Sequence, residues 1–162
     1  MQEELVDQLS KQFPGIVDLV SEDYCKVPKH VRQEVVHIGE GDNDIDLLVS
    51  LLKDEVLPTM VEELEEGEKN GSTEPAGAVL IFCKGKGKRD WICDELRNKE
   101  IINLPFYESM SSKARNLTLS LLSEGKLPVI VSDNLASRGL DTLNVSHVIQ
   151  FDLPKTPQDY LQ

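Results

Sequence analysis

The sequence predicts a three-layer α/β domain, a mostly parallel sheet of about five strands with helices on both faces. Three observations carry that prediction. Short apolar runs alternate with segments of helical periodicity along most of the chain. Residues 78–83 read Ala-Val-Leu-Ile-Phe-Cys with no polar interruption, as in a central strand covered on both faces. A length of 162 residues is enough for one core of ordinary size without disulfide staples.

Taken in order, Leu5, Leu9 and Phe13 recur every four residues and mark a helix that Pro14-Gly15 stops, and a short strand over 16–20 follows. Residues 21–32 are polar, contain Pro28 and read as a linker, and 33–38 read as the next strand. Asp42 or Asn43 caps a helix whose Ile45, Leu48, Leu51 and Leu52 share a face, running up to Pro58. Residues 61–76 are Glu-rich and then carry Asn70-Gly71-Ser72-Thr73, the composition of a solvated helix tail and an acidic loop insertion. After the apolar strand, a helix starting near Gly87 is expected to anchor Trp91, Ile92 and Leu96 in the core. A further apolar stretch covers 101–106, a helix with Leu117, Leu119, Leu121 and Leu122 covers 111–122, and a strand covers 128–132. The last strand, 147–152, leads through Leu153-Pro154 to a helix start at Thr156-Pro157, where proline is favourable at the first helical position.

The formal charge of −12 is uneven. Residues 41–74 hold −9 of it, whereas residues 75–162 sum to +1, so a local basic groove is compatible with the acidic total. The acidic stretch 62–68 reads as a solvated face, and its charge would also suit a basic protein partner. No apolar run approaches the roughly 20 residues of a membrane helix, and the acidic start lacks a signal peptide's basic and apolar regions, so no membrane partner and an intracellular location are expected. Cys25, Cys83 and Cys93 are odd in number and form no Cys-x-x-Cys pair, which argues for a reducing compartment and against zinc. His30, His37 and His147 are scattered, so no metal site is expected.

Three segments could carry chemistry. Lys84-Gly85-Lys86-Gly87-Lys88-Arg89 follows the buried strand and opens a helix, where backbone N–H groups, the helix dipole and cations would attract a phosphate; it equally suits a solvated turn. No Gly-x-x-x-x-Gly-Lys-Ser/Thr loop for a nucleoside triphosphate occurs. Ser132-Asp133-Asn134-Leu135-Ala136-Ser137-Arg138-Gly139-Leu140-Asp141 is too polar to bury and follows a strand. There Arg138 offers a fork for phosphate, Gly139 close backbone approach and Asp141 an acceptor for ribose, or Arg138 and Asp141 form an ion pair across a capped turn. In Ser109-Met110-Ser111-Ser112-Lys113-Ala114-Arg115, a Ser N-cap is followed by cations that oppose the helix dipole, as at an anion site or a plain solvated helix start.

In order and spacing, residues 79–83, Met110 with Arg115, Gly125-Lys126 through Asp141, and 148–154 with Tyr160 resemble the second RecA-like domain of a DEAD-box RNA helicase. The resemblance covers about 33–162, and residues 1–32 resemble the end of the first domain and the interdomain linker. It implies RNA-backbone contacts at Lys84, Gly85 and Arg115 and at Ser132, Asp133 and Asn134, where the family's Thr-Asp falls on Asp133-Asn134 if the spacing from Pro128 to Arg138 is kept, or on Ser132-Asp133 with a one-residue insertion. It implies domain coupling by Arg138, the one residue expected to act in catalysis, and nucleotide contacts at Gly139 and Asp141. The family's Gln and His-Gly are replaced by Ser112 and Tyr107-Glu108.

The implied activity is ATP-dependent RNA unwinding or remodelling by the full-length protein, with ATP, RNA and the chain's own N-terminal RecA-like domain as partners and Mg2+ held by that domain. Tyr160-Leu161-Gln162 reaches only the first position of the family's arginine-rich final motif, so this fragment alone is expected to be inactive and to hold no cofactor by itself. The alternative is a catalytically inactive RecA-like module that binds RNA or protein.

Overall fold

The computed structural model describes residues 11–12, 27–69, 77–133, 145–156 and 160. Of the expected N-terminal helix and strand, only Lys11 and Gln12 fall among these, and they are helical; the rest lies outside the described residues. The chain divides into two compact units with the boundary between Glu34 and Val35. In the first, the Val31 N–H donates to the Pro28 carbonyl at 3.0 Å, closing a turn, and Arg32 pairs with Glu34.

Within the second unit, Val35–Tyr160, four strands form one parallel sheet in the order β2-β3-β1-β4: β1 (Ala78–Cys83), β2 (Asn103–Phe106), β3 (Val129–Asp133) and β4 (Val145–Gln150). The sheet is parallel as expected, with four described strands where about five were read. The difference lies at 33–38, which is irregular. Its Val35, Val36 and Ile38 are exposed, Val35 to 80%, and with no ladder partner for 35–38 among the described residues this apolar stretch has nothing there to fix it as a strand.

Both faces of the sheet are covered, and the alternation along β1 shows why its run is wholly apolar. Val79, Ile81 and Cys83 join Val129 and Val131 of β3 on one face, against α1 (Asp44–Ser50), a π-helical turn (Leu51–Val56), α2 (Leu57–Lys69) and α3 (Gly85–Asn98). Ala78, Leu80 and Phe82 join Ile130 and Phe106 on the other, against α4 (Ser112–Ser123) through Leu122. Pro105 lacks a ladder donor, and β2 is an edge strand, where that loss is tolerated.

Several boundaries differ from the sequence expectation for identifiable reasons. Asn43 is the N-cap of α1, its side chain accepting from the Ile45 N–H at 3.2 Å. The helix does not end at Pro58. The π-helical turn precedes the proline, with the Leu57 N–H reaching back to the Leu52 carbonyl, and this wider winding accommodates a ring that would clash with the carbonyl four residues earlier in an α-helix. The helix then continues to Lys69, so the solvated helix tail expected in 61–76 extends over 61–69, with Glu62, Glu65 and Glu66 exposed, while 70–76 lie outside the described residues.

Trp91 is not a core anchor. It lies about 140° round the helix from Leu96, is 37% exposed, and meets Phe151 edge to face at 6.3 Å between ring centroids. The buried stripe of α3 is instead Arg89, Ile92, Cys93 and Leu96. Among the described residues no helix is long and apolar enough to cross a membrane.

Candidate nucleic-acid interface

Because the strands are parallel, their carboxyl ends share one edge, the position where open α/β sheets bind ligands. Register sets Cys83 beside Asp133, and Phe82 and Phe106 beside Ser132, so Tyr107 follows β2 next to Asp133. On the other side the Phe151 N–H donates to the Phe82 carbonyl at 2.9 Å, extending the ladder one residue past β4. Asp152 then turns inward, and its Oδ2 accepts from the Lys84 N–H at 2.8 Å. The last strand runs Val145–Gln150, where 147–152 was expected.

The basic run after β1 divides into two sets. Lys84 and Lys86 are exposed, and neither side-chain ammonium pairs with a described carboxylate. Gly85 has φ +80°, and a Cβ built there meets nothing within 4 Å, so the glycine answers to backbone conformation rather than space. It lets α3 begin at Gly85, two residues before the expected start. Lys88 is half-buried and paired, with Nζ 3.3 Å from Asp44 Oδ2 and 5.0 and 4.8 Å from the ring centroids of Trp91 and Phe151. Arg89 is 3% exposed and bonded to Asp90 and Asp133. The surface open to an anion in this run is therefore Lys84, Gly85 and Lys86.

Ser111 is the N-cap of α4, its Oγ accepting from the Ala114 N–H at 3.2 Å. This fixes the first turn and carries Arg115 over Phe106, with 4.7 Å between the guanidinium carbon and the ring centroid. No described carboxylate pairs with Arg115, so an aromatic face orients the cation without neutralising it.

Ser132 departs from its expected role. Its side chain is fully buried, its hydroxyl donates to the Asp133 carbonyl at 3.0 Å, and its own carbonyl accepts from the Cys83 thiol. A direct side-chain contact with RNA is therefore not available to Ser132. Asp133 lies at the edge, 19% exposed, with Arg89 Nη1 donating to its Oδ2 at 3.0 Å. Asn134, Arg138, Gly139 and Asp141 lie outside the described residues.

Cys83 is buried beneath this edge, and desolvation, then the nearby Asp152 and Asp133 carboxylates, pushes its thiol up to about 12. Burial likewise pushes Cys93 up to about 11. Both are neutral packing groups at neutral pH. Among the described residues no cluster of His, Cys, Asp or Glu could hold a metal ion.

The sequence reading missed the pairing role of Arg89 and the aromatic supports Tyr107 and Phe151. The first was recoverable. Arg89, Ile92, Cys93 and Leu96 follow the i, i+3, i+4, i+7 pattern of a buried stripe, and a cation on such a stripe must meet a partner. The aromatic supports depend on strand register, which the sequence leaves open.

A parallel α/β sheet with helices on both faces agrees with a RecA-like domain. Residues 53–162 match the family described as helicase conserved C-terminal domain. The chain belongs to that family, as the C-terminal RecA-like domain of a DEAD-box helicase.

It is 31% identical over 138 residues to a probable ATP-dependent RNA helicase of mouse, DDX28, a match covering 85% of this chain and 23% of that protein. The Escherichia coli DEAD-box protein SrmB, solved bound to regulator of ribonuclease activity A, is 28% identical with a TM-score of 0.55, covering 73% of this chain and 58% of that one. A DEAD box protein from Methanococcus jannaschii, 19% identical, agrees in fold with a TM-score of 0.61 over 99% of this chain and 38% of that one.

Proposed function

We propose that this chain is the RNA-gripping, nucleotide-sensing half of an ATP-dependent RNA helicase. Its RNA surface is the carboxyl edge of the sheet, where Lys84, Lys86 and Arg115 meet phosphates and the Gly85 backbone allows close approach. Such contacts fix position on the backbone without reading sequence, and they make binding strongly salt-dependent. The observation that carries this reading is Arg115, a cation oriented by Phe106 and free of any described carboxylate, on the edge it shares with Lys84.

Arg138, Gly139 and Asp141 extend the surface in this reading, Arg138 coupling the two domains and Gly139 and Asp141 meeting the nucleotide. ATP supplies the phosphoryl chemistry, and its Mg2+ is assigned to the N-terminal RecA-like domain on the family resemblance. Neutral buried thiols suit a reducing intracellular compartment.

One observation favours a second reading, an inactive binding module. In the register that keeps family spacing from Pro128 to Arg138, Asp133 puts a carboxylate where the family carries Thr. The ATPase rate of the complete gene product, with and without single-stranded RNA, separates the two. RNA-stimulated turnover that Arg138→Ala abolishes supports the helicase, whereas RNA binding without turnover supports the module. On the 162-residue chain, a single-stranded RNA titration should move the amide signals of Lys84, Gly85 and Arg115 together. Movement confined to the acidic helix α2 would refute the surface assigned here.

A further inference from the structure

Arg89 is the most deeply buried cation of the basic run, 3% exposed, and cannot reach a ligand directly. Its Nε and Nη2 donate to Asp90 Oδ1 at 3.0 and 2.8 Å, its Nη1 donates to Asp133 Oδ2 at 3.0 Å, and its guanidinium lies 4.1 Å from the Tyr107 ring centroid. Helix α3, the end of β3 and the residue after β2 thus converge on one planar group. A guanidinium that is 3% exposed is strongly disfavoured unless paired, and this one is paired on two sides and stacked on a third.

What this arrangement does follows from where Asp133 sits. The carboxylate is in register with Cys83, immediately before Lys84, so left alone it would repel a phosphate approaching Lys84. Asp90 is half-exposed, so water screens the negative charge it adds.

We propose that Arg89 is a positioning residue for RNA binding. It neutralises Asp133 and pins the carboxyl end of β3, so the carboxylate of that strand does not oppose a phosphate at the edge, where Asp152 is held on the Lys84 N–H. The inference rests on the RNA-binding reading above and adds to it a charge pair internal to the domain.

The test is the affinity of the 162-residue chain for a labelled single-stranded oligouridylate, read by fluorescence anisotropy across a salt series. Arg89→Met should bind about tenfold more weakly at low salt, with the loss shrinking as salt rises, because the uncovered carboxylate acts through a screened field. Arg89→Lys, which keeps the charge, should lose less. Arg89→Met combined with Asp133→Asn should recover to within about twofold of wild type, since the repelling charge is gone.

Recovery in the double variant is the readout that a packing role would not produce. A double variant as weak as Arg89→Met, or an Arg89→Met as tight as wild type, overturns the inference while leaving RNA binding intact. Absence of RNA binding by the wild-type chain overturns the RNA reading and this inference with it. Should Arg89→Met fail to fold, Asp133→Asn alone decides. It removes one negative charge from the Arg89, Asp90 and Asp133 cluster, so it should tighten binding about threefold at low salt, and unchanged or weaker binding refutes the proposal.

Discussion

Replacing Phe106 tests whether one aromatic ring both closes a face of the core and aims the RNA-facing cation. The ring is fully buried and packs with Leu80, Phe82, Leu122, Leu127 and Ile130, while Arg115 lies 4.7 Å from its centroid. Truncation to alanine removes most of a large side chain from a close-packed site, so Phe106→Ala should lose about 3–5 kcal/mol through lost burial and the cavity left behind. Phe106→Leu keeps much of the volume and should lose about 1–2 kcal/mol, part of it the cation–π contact with half-buried Arg115, itself about 0.5–1 kcal/mol.

Crossing Phe106→Leu with Arg115→Ala isolates that contact as a coupling of about 0.5–1 kcal/mol. Urea unfolding followed by Trp91 fluorescence supplies the measurement, because this sole tryptophan lies in the Val35–Tyr160 unit. The total to be lost from is about 5–15 kcal/mol for a typical domain, so Phe106→Ala should lower the midpoint plainly or prevent folding. A cost below about 1.5 kcal/mol would refute the role of Phe106 in the core. A coupling indistinguishable from zero would refute the claim that it orients Arg115.

Two further predictions concern the same edge. Gly85→Ala should destabilise by about 1–2 kcal/mol, because φ +80° is strained for any residue with a Cβ although the space around it is open; a thermal midpoint equal to wild type would contradict this. Cys83 ionises in the unfolded chain well before it does in the fold, where burial pushes the thiol up to about 12. Its contribution to stability is therefore complete below the unfolded thiol range, about pH 8.5, and falls as the pH rises from there towards about 12. Denaturation curves collected from pH 8 to pH 11 should fall less steeply for Cys83→Ala than for wild type, and parallel slopes would count against a buried neutral thiol.

The wholly apolar 78–83, the Asn43 cap and the Ser111 cap each specify local structure by chemistry that neighbouring residues complete, which is why they were readable from the chain alone. The order of short motifs was readable in the same way, and it pointed to the family that the comparison then established. Other features depended on partners distant in sequence. Residues 33–38 carry strand-like side chains yet are irregular, because a strand exists only with a ladder beside it. Pro58 reads as a stop, and the π-helical turn before it carries the helix past. Ser132 reads as a surface hydroxyl and is buried, because β3 is flanked by β1 and β2.

The candidate interface divides along the same line. Sequence alone determined that Lys84, Gly85 and Arg115 occur at strand and helix ends, since alternating periodicity locates those ends. Only the tertiary structure decided which cations remain available. Register brings Asp133 to Arg89 and Asp152 to the Lys84 amide, packing sets Lys88 beside Asp44, and Arg115 is left facing an aromatic ring. Charge along the chain is local information, but neutralisation depends on distance, and distances between residues 44 positions apart, as in Arg89 and Asp133, are fixed only by the fold.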